Sequence, residues 1–214
     1  MFSKKAVNPY DFLSHAPTSQ TIRNRIGVIR NHFEFNEKLN LDDRRQLLVR
    51  IENSDHEVER EHYEIELHFH EHFFERVHRV STLLIIYSLL ENLMAKICND
   101  KSQKKYQVNS QIDGYGILSF KTYLEKQFDI NFSDQKIEKH WSKIKTLNKL
   151  RNALAHSEGD LEQYGHFSVE QCTKLKKTIG STKGLSLYSN TIMITEKYVI
   201  DSLDAVEKFL LAIK

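Results

Sequence analysis

The chain has 214 residues, 40% of them hydrophobic and 28% charged, with a formal charge of only +2. That balance excludes a disordered chain, and the small net charge excludes a protein that is basic throughout, while leaving room for a local basic patch. Two cysteines, Cys98 and Cys172, have neither metal nor redox spacing, so no disulfide framework is expected and a reducing, cytoplasmic setting fits.

Seven glycines and two prolines are few breakers for this length, so long helices are expected. The opening MFSKKAVNPYDFL has no apolar core, and no signal peptide is expected. Residues 1 to 19 hold both prolines and read as an irregular arm. A first helix is predicted over 20 to 38. Asn40 reads as the N-cap of another, LDDRRQLLVRIE, with acidic residues in its first turn. NSDH, 53 to 56, breaks or kinks the chain. From there to about residue 99 no Gly or Pro occurs, and Ile65, Phe69, Phe73, Val77, Val80, Leu84 and Tyr87 recur at helical spacing. Such a helix would be roughly 65 Å long, so its front half is expected to project or to pair with a partner. Its most apolar stretch, LLIIYSLLENLMAKI, is interrupted by Glu91, Asn92 and Lys96 and reads as too short and too polar for a bilayer.

Residues 101 to 116 form a polar, lysine-bearing loop. A short helix follows over about 117 to 128. Ser133 reads as the cap of a helix that runs to about Glu158, with Gly159 as its stop. Residues 160 to 184 are mixed. LSLY-SN-TIMIT alternates around a two-residue turn and predicts a hairpin. Thr195 then caps a last amphipathic helix through Val199, Leu203, Val206, Phe209 and Leu210.

On a helical wheel, Ile137, Trp141, Ile144, Leu147 and Leu154 form one apolar stripe, and Arg151 falls inside it. Asn148, Asn152 and His156 run along its flank, with small Ala155 leaving space. A buried arginine is costly unless paired or functional. On the earlier helix Glu91 lies within the stripe of Val80, Leu84, Tyr87, Met94 and Cys98. Glu91 and Arg151 therefore form either a salt bridge that fixes the packing of two helices or part of a shared polar pocket.

Arg151-Asn152-Ala153-Leu154-Ala155-His156 resembles the R-x4-H motif of the HEPN superfamily, in its RN-x-x-AH form. LLIIYSLLENLMAKI is similar to that family's first core helix and TIMITEKYVIDSLDAVEKFLLAIK to its last, so the resemblance covers about 80 to 214. It implies a small all-α bundle, and an endoribonuclease that needs no metal or other cofactor and acts as a homodimer with two motifs facing across a cleft. It implies that Arg151 and His156 are the catalytic pair, that Asn152 helps orient the site, and that Glu91 supports it; Asn148, from the same flank of the wheel, is expected to support it too. Such proteins are often toxins or phage-defence effectors, so a neutralising protein partner is also implied. Where some relatives carry a Tyr modified by a partner enzyme, this chain has Glu158, and that mode of regulation is not expected.

The chemistry suits these side chains. RNA brings its own nucleophile, the 2′-hydroxyl. A histidine can take or give the proton, and an arginine can steady charge on the phosphate. Lys101, Lys104, Lys105 and Lys149 are candidates for phosphate contacts, as are Lys174, Lys176 and Lys177, although each group also reads as solvated surface. Tyr106 and Tyr115 could stack on bases or pack in a turn. His68 and His72 have a spacing that can bind zinc but lack the HExxH order and a nearby Cys; they read as solvated or interfacial. No P-loop, GxGxxG or GxSxG occurs.

The expectation is an all-α, HEPN-like bundle over 80 to 214, with an extra helical region over 1 to 79 and a small β-hairpin before the last helix. The function expected is cleavage of single-stranded or structured RNA, without a membrane role. The alternative is a non-catalytic helical interaction or dimerisation module.

Overall fold

The computed structural model describes residues 17–102, 112, 114, 116–162 and 168–214. Among these are six helices and one hairpin. Helix α1 (Ser19–Glu52) starts at Thr18, whose side chain accepts from the Thr21 N–H. Asn40 begins no new helix. It lies inside α1, which runs through it for 34 residues. An N-cap preference of about 1 kcal/mol cannot break a helix when no Gly or Pro stops propagation and a neighbour packs along both halves. The chain turns at Asn53, whose side-chain amide donates to the Val49 carbonyl.

Helix α2 (Glu57–Lys101) is one rod of 45 residues. A π turn at His70–Phe74 interrupts its α-helical geometry. The front of α2, Glu57–Phe69, buries no residue. It lies against the second half of α1 as an exposed hairpin, held by Arg44–Glu71 at 2.7 Å and by Arg50 over the Tyr63 ring. The front half, expected to project or to pair with a partner, lies along α1 of the same chain. By length and composition alone α2 could cross a membrane, and half of its apolar window is buried inside the structure. The 83–97 segment lies in the rear half of this rod.

The rear of α2 carries the core: Leu83, Ile86, Leu90, Leu93, Met94 and Ile97 are buried. Around it pack α3 (Ile117–Phe128), α4 (Gln135–Ser157), α5 (Val169–Ser181), and, after strands β1 (Leu185–Tyr188) and β2 (Thr191–Ile194), α6 (Glu196–Ile213). Trp141 of α4 stacks on Phe209 of α6 at 5.3 Å, and Phe132 meets Trp141 edge-on. Ile22, Ile26 and Phe33 of α1 join this same core.

Local signals explain the ends. Asp134, not Ser133, caps α4, accepting from the Lys136 N–H. Both residue types can cap, and the position nearer the first turn wins. The mixed region after residue 160 contains α5, begun by a capping box of Ser168 and Gln171. The hairpin pairs Leu185 with Ile194 and Tyr188 with Thr191, around Ser189-Asn190 as expected. Thr195 caps α6, accepting from the Tyr198 N–H.

One buried ionic group fixes how α1 meets α2. Arg79 donates to both oxygens of Glu37, at 2.9 and 2.8 Å, and lies 2.8 Å from Glu75. Glu37 and Glu75 are nearly inaccessible. Burial lowers the Arg79 pKa, but the bonds and charge of Glu37, with Glu75 and Glu196, outweigh it and the net direction is upward.

Candidate active site

The R-x4-H segment occupies the last two turns of α4. Arg151 is half-buried, and its guanidinium carbon lies 5.2 Å from the centre of the Tyr87 ring on α2. One guanidinium N–H donates to Asn152 Oδ1 at 3.0 Å. The Tyr87 hydroxyl donates to Asn148 Oδ1 at 2.6 Å. Arg151, Asn148 and Asn152 are thus brought together, with Tyr87 as their platform. The cation over an aromatic face offsets part of the desolvation of the arginine.

Glu91 and Arg151 do not form the salt bridge that was one of the two readings; among the described residues no carboxylate comes within ion-pair distance of Arg151. The two act on Tyr87 instead. Burial, then the Glu91 carboxylate, raises the phenol pKa, and Arg151 opposes them. Tyr87 is therefore a neutral donor and not a phenolate. Glu91 itself lines a pocket of about 480 Å³ with Ser88, Asn92, Gly116 and Phe120 among others, and Arg151 is not part of that lining.

His156 is exposed at the end of α4. Five residues along a helix turn it about 140° from Arg151 around the axis, so Asn152 lies between them in angle. The helix ends by geometry, not by composition alone. Glu158 adopts φ 53° and Gly159 φ 82°, and the N–H groups of both reach the Ala153 carbonyl. A Cβ on Gly159 would sit 3.0 Å from Leu154 and 3.1 Å from Arg76. Arg76 of α2 donates to the carbonyls of Glu158 and Ile192. It ties the turn after His156 to both α2 and the hairpin. Burial lowers its pKa, and Glu158 counters that.

The proposed lysines separate. Lys149 is exposed on α4, two turns before His156 and on the same face. Lys101 donates to the Lys214 carbonyl at 2.8 Å. It lies about 15 Å beyond Glu91 along α2 and holds the end of α6, so it is not gathered with Arg151. Lys104, Lys105, Tyr106 and Tyr115 lie outside the described residues. His68 and His72 lie ring against ring at 4.4 Å, and His72 also stacks on Tyr188. Among the described residues no group of three or more His, Cys, Asp or Glu could hold a metal ion.

Two contributors went unseen in the sequence. Tyr87 read as one more member of the apolar stripe; its place one turn before Glu91 was the available signal. Arg76 had none, because its partners are backbone carbonyls more than eighty residues away. The chain matches no protein-family model, and neither a curated protein nor a solved structure is significantly similar to it.

Proposed function

We propose that the chain is a HEPN-type endoribonuclease that uses Arg151 and His156 and works as a homodimer. The observation that carries this reading is the state of Arg151. It is held half-buried over Tyr87, braced by Asn152, and among the described residues no carboxylate pairs with it. Such a guanidinium keeps donors for a phosphate, where paired N–H groups stabilise the charge that grows in the transition state.

In the reaction a base removes the proton of the RNA 2′-hydroxyl, and the 2′-oxygen bonds to the adjacent phosphorus. The bond from phosphorus to the 5′-oxygen breaks, and an acid gives that oxygen a proton. The products are a 2′,3′-cyclic phosphate and a 5′-hydroxyl. His156, exposed at the end of α4, supplies one of these two proton transfers. The His156 of a second copy supplies the other proton transfer. Large apolar side chains left in water along α2, on the helix of Tyr87 and Glu91, support such pairing: Phe73, Val77 and Ile85 are each more than half exposed.

The test is cleavage of RNA in EDTA by wild type, His156→Ala and Arg151→Ala, with the ends of the products identified and the mass of the protein in solution measured. The reading requires cyclic-phosphate ends and loss of activity in both variants while they stay folded and dimeric. Full activity of His156→Ala overturns it. The exposed Phe69, Phe73 and Phe74 favour a second reading, an interaction module whose α1–α2 arm docks a protein such as a neutralising partner. A folded wild type that cuts no RNA favours that one.

A further inference from the structure

The charge of the chain is unevenly placed. Helix α4 carries Lys136, Lys139, Lys143, Lys145, Lys149 and Arg151 against the single carboxylate of Glu138, in a protein of net charge +2. Glu138 is already taken by Lys145. Among the described residues no carboxylate pairs with Lys136, Lys139, Lys143, Lys149 or Lys183. All five are exposed.

Their positions form a path. Lys145, Lys149, Asn152 and His156 follow one exposed line of α4 at spacings of three and four. Lys136, Lys139 and Lys143 follow a second line about 140° around the axis, at the other edge of the exposed face, and Ser142 and Thr146 lie between the two. Lys143 meets Lys183, which comes from the turn after α5, across a pocket of about 310 Å³ whose wall also includes Ser142, Thr146, Ser181 and Thr182. The acidic residue of that wall, Asp201, is paired with Lys197 at 3.2 Å. His140 registers the field: its pKa is lowered by partial burial and then by Lys208, Lys139 and Lys143.

The geometry points to a phosphate track along α4, in which Lys139, Lys143 and Lys183 hold the backbone of a single-stranded RNA and lead it past Lys149 to His156 at the end of the helix. From Lys136 to His156 the helix spans about 30 Å, enough to run beside on the order of five to nine successive phosphates. A polyanion is the occupant this ridge fits. A membrane-surface helix needs apolar side chains beside its lysines, and none of the exposed large apolar residues lies on α4. Lysines on flexible stems contact phosphates as point charges, so the track binds without reading sequence. The inference rests on the ribonuclease reading for the identity of the strand.

The test uses the full chain and a fluorescent 12-nucleotide single-stranded RNA. Binding is measured on the His156→Ala background by anisotropy between 50 and 300 mM salt. Cleavage is measured with His156 intact. The track variant is K139Q/K143Q/K183Q, and K38Q/R45Q/K126Q removes the same charge elsewhere; circular dichroism checks that both fold. The expected result is at least tenfold weaker binding by the track variant at 100 mM salt. The slope of log K against log salt should fall by about two, since each lost phosphate contact removes roughly 0.7. The control variant should stay within twofold.

Equal binding by the two triple variants overturns the track, and if wild type still cuts RNA the ribonuclease reading survives that result. Weak binding by the track variant alone, with no cleavage by wild type, leaves the track standing and removes the ribonuclease. No RNA binding by any form, or binding only to phosphatidylserine vesicles, overturns the track.

Discussion

Arg151 and Tyr87 face each other across the contact of α4 with α2, guanidinium over ring at 5.2 Å, and the Tyr87 hydroxyl returns a bond to Asn148 one turn earlier on the arginine's own helix. The closed loop of contacts means that Tyr87 sets the arginine's position from below and the asparagine's from the side. Ring and hydroxyl have separable roles.

Tyr87→Phe keeps the ring and loses the bond to Asn148. It should cost about 1 kcal/mol of stability and slow RNA cleavage by roughly tenfold, because a misplaced catalytic group costs rate steeply. Arg151→Ala should slow it by on the order of a hundredfold or more. Single-turnover rates and urea unfolding on the same preparations check both. A Tyr87→Phe protein as slow as Arg151→Ala would show that the hydroxyl itself, not the platform, matters.

Two glycines should respond oppositely to alanine. Gly159 has φ 82° and packs against Leu154 and Arg76, so Gly159→Ala should destabilise by roughly 1–3 kcal/mol and disturb the turn that ends at His156. Gly27 lies inside α1 with nothing within 4 Å of an added Cβ. Gly27→Ala should stabilise by about 0.5–1 kcal/mol. Thermal unfolding measures both, at about 2–4 °C per kcal/mol for a chain of this size.

Arg79→Met removes the cation between two buried carboxylates and leaves Glu37 and Glu75 facing each other. Breaking one side of a buried pair costs about 3–5 kcal/mol, so the midpoint should fall by about 10 °C. A change below 1 kcal/mol in urea unfolding would mean that water reaches the group. Glu37→Gln added to Arg79→Met should recover part of the loss, since one stranded charge is then gone.

The all-helical architecture was legible because its signals are local. The Ile65 to Tyr87 stripe, the Ser-Asn turn and the Thr195 cap each lie within a few residues of what they determine. The limits of helices were less legible. Asn40 and Ser133 are good caps by residue type, and only packing along α1 and the competing Asp134 decide against them. In the site, the spacing of Asn148, Arg151 and Asn152 gave the cluster on α4. What holds it came from α2: an aromatic hidden in an apolar stripe, and Arg76 bonded to carbonyls, which have no sequence. Glu91 and Arg151 both act on Tyr87 without pairing with each other, a distinction wheel geometry does not contain.

The two thiols should differ in reactivity. Cys98 is fully buried in the core, and burial pushes its pKa up to about 12. Cys172 is only partly covered, beside the Leu161 carbonyl. A thiol reagent at pH 8 should therefore titrate one sulfur in the native protein and the second only on unfolding, since the thiolate is the reacting form. Rapid reaction of both would show that the α2 core opens.

His140 should make stability depend on pH in a set direction. Its folded pKa lies below the ordinary histidine value of about 6.5, through burial and then through Lys208, Lys139 and Lys143. The unfolded chain thus binds the proton more readily than the folded one. Above about pH 6.5 the ring adds no slope. As pH falls from there through the folded value stability is lost, and below it the loss levels off. His140→Gln should flatten unfolding free energy against pH in that window, with the other histidines unchanged. An NMR titration of the ring should give a value below 6.5 in the free protein, and an RNA strand lying on Lys139 and Lys143 should move it upward, because the phosphates neutralise the cations that depress it. A ring that titrates above 6.5 without RNA would contradict the crowding of cations around it.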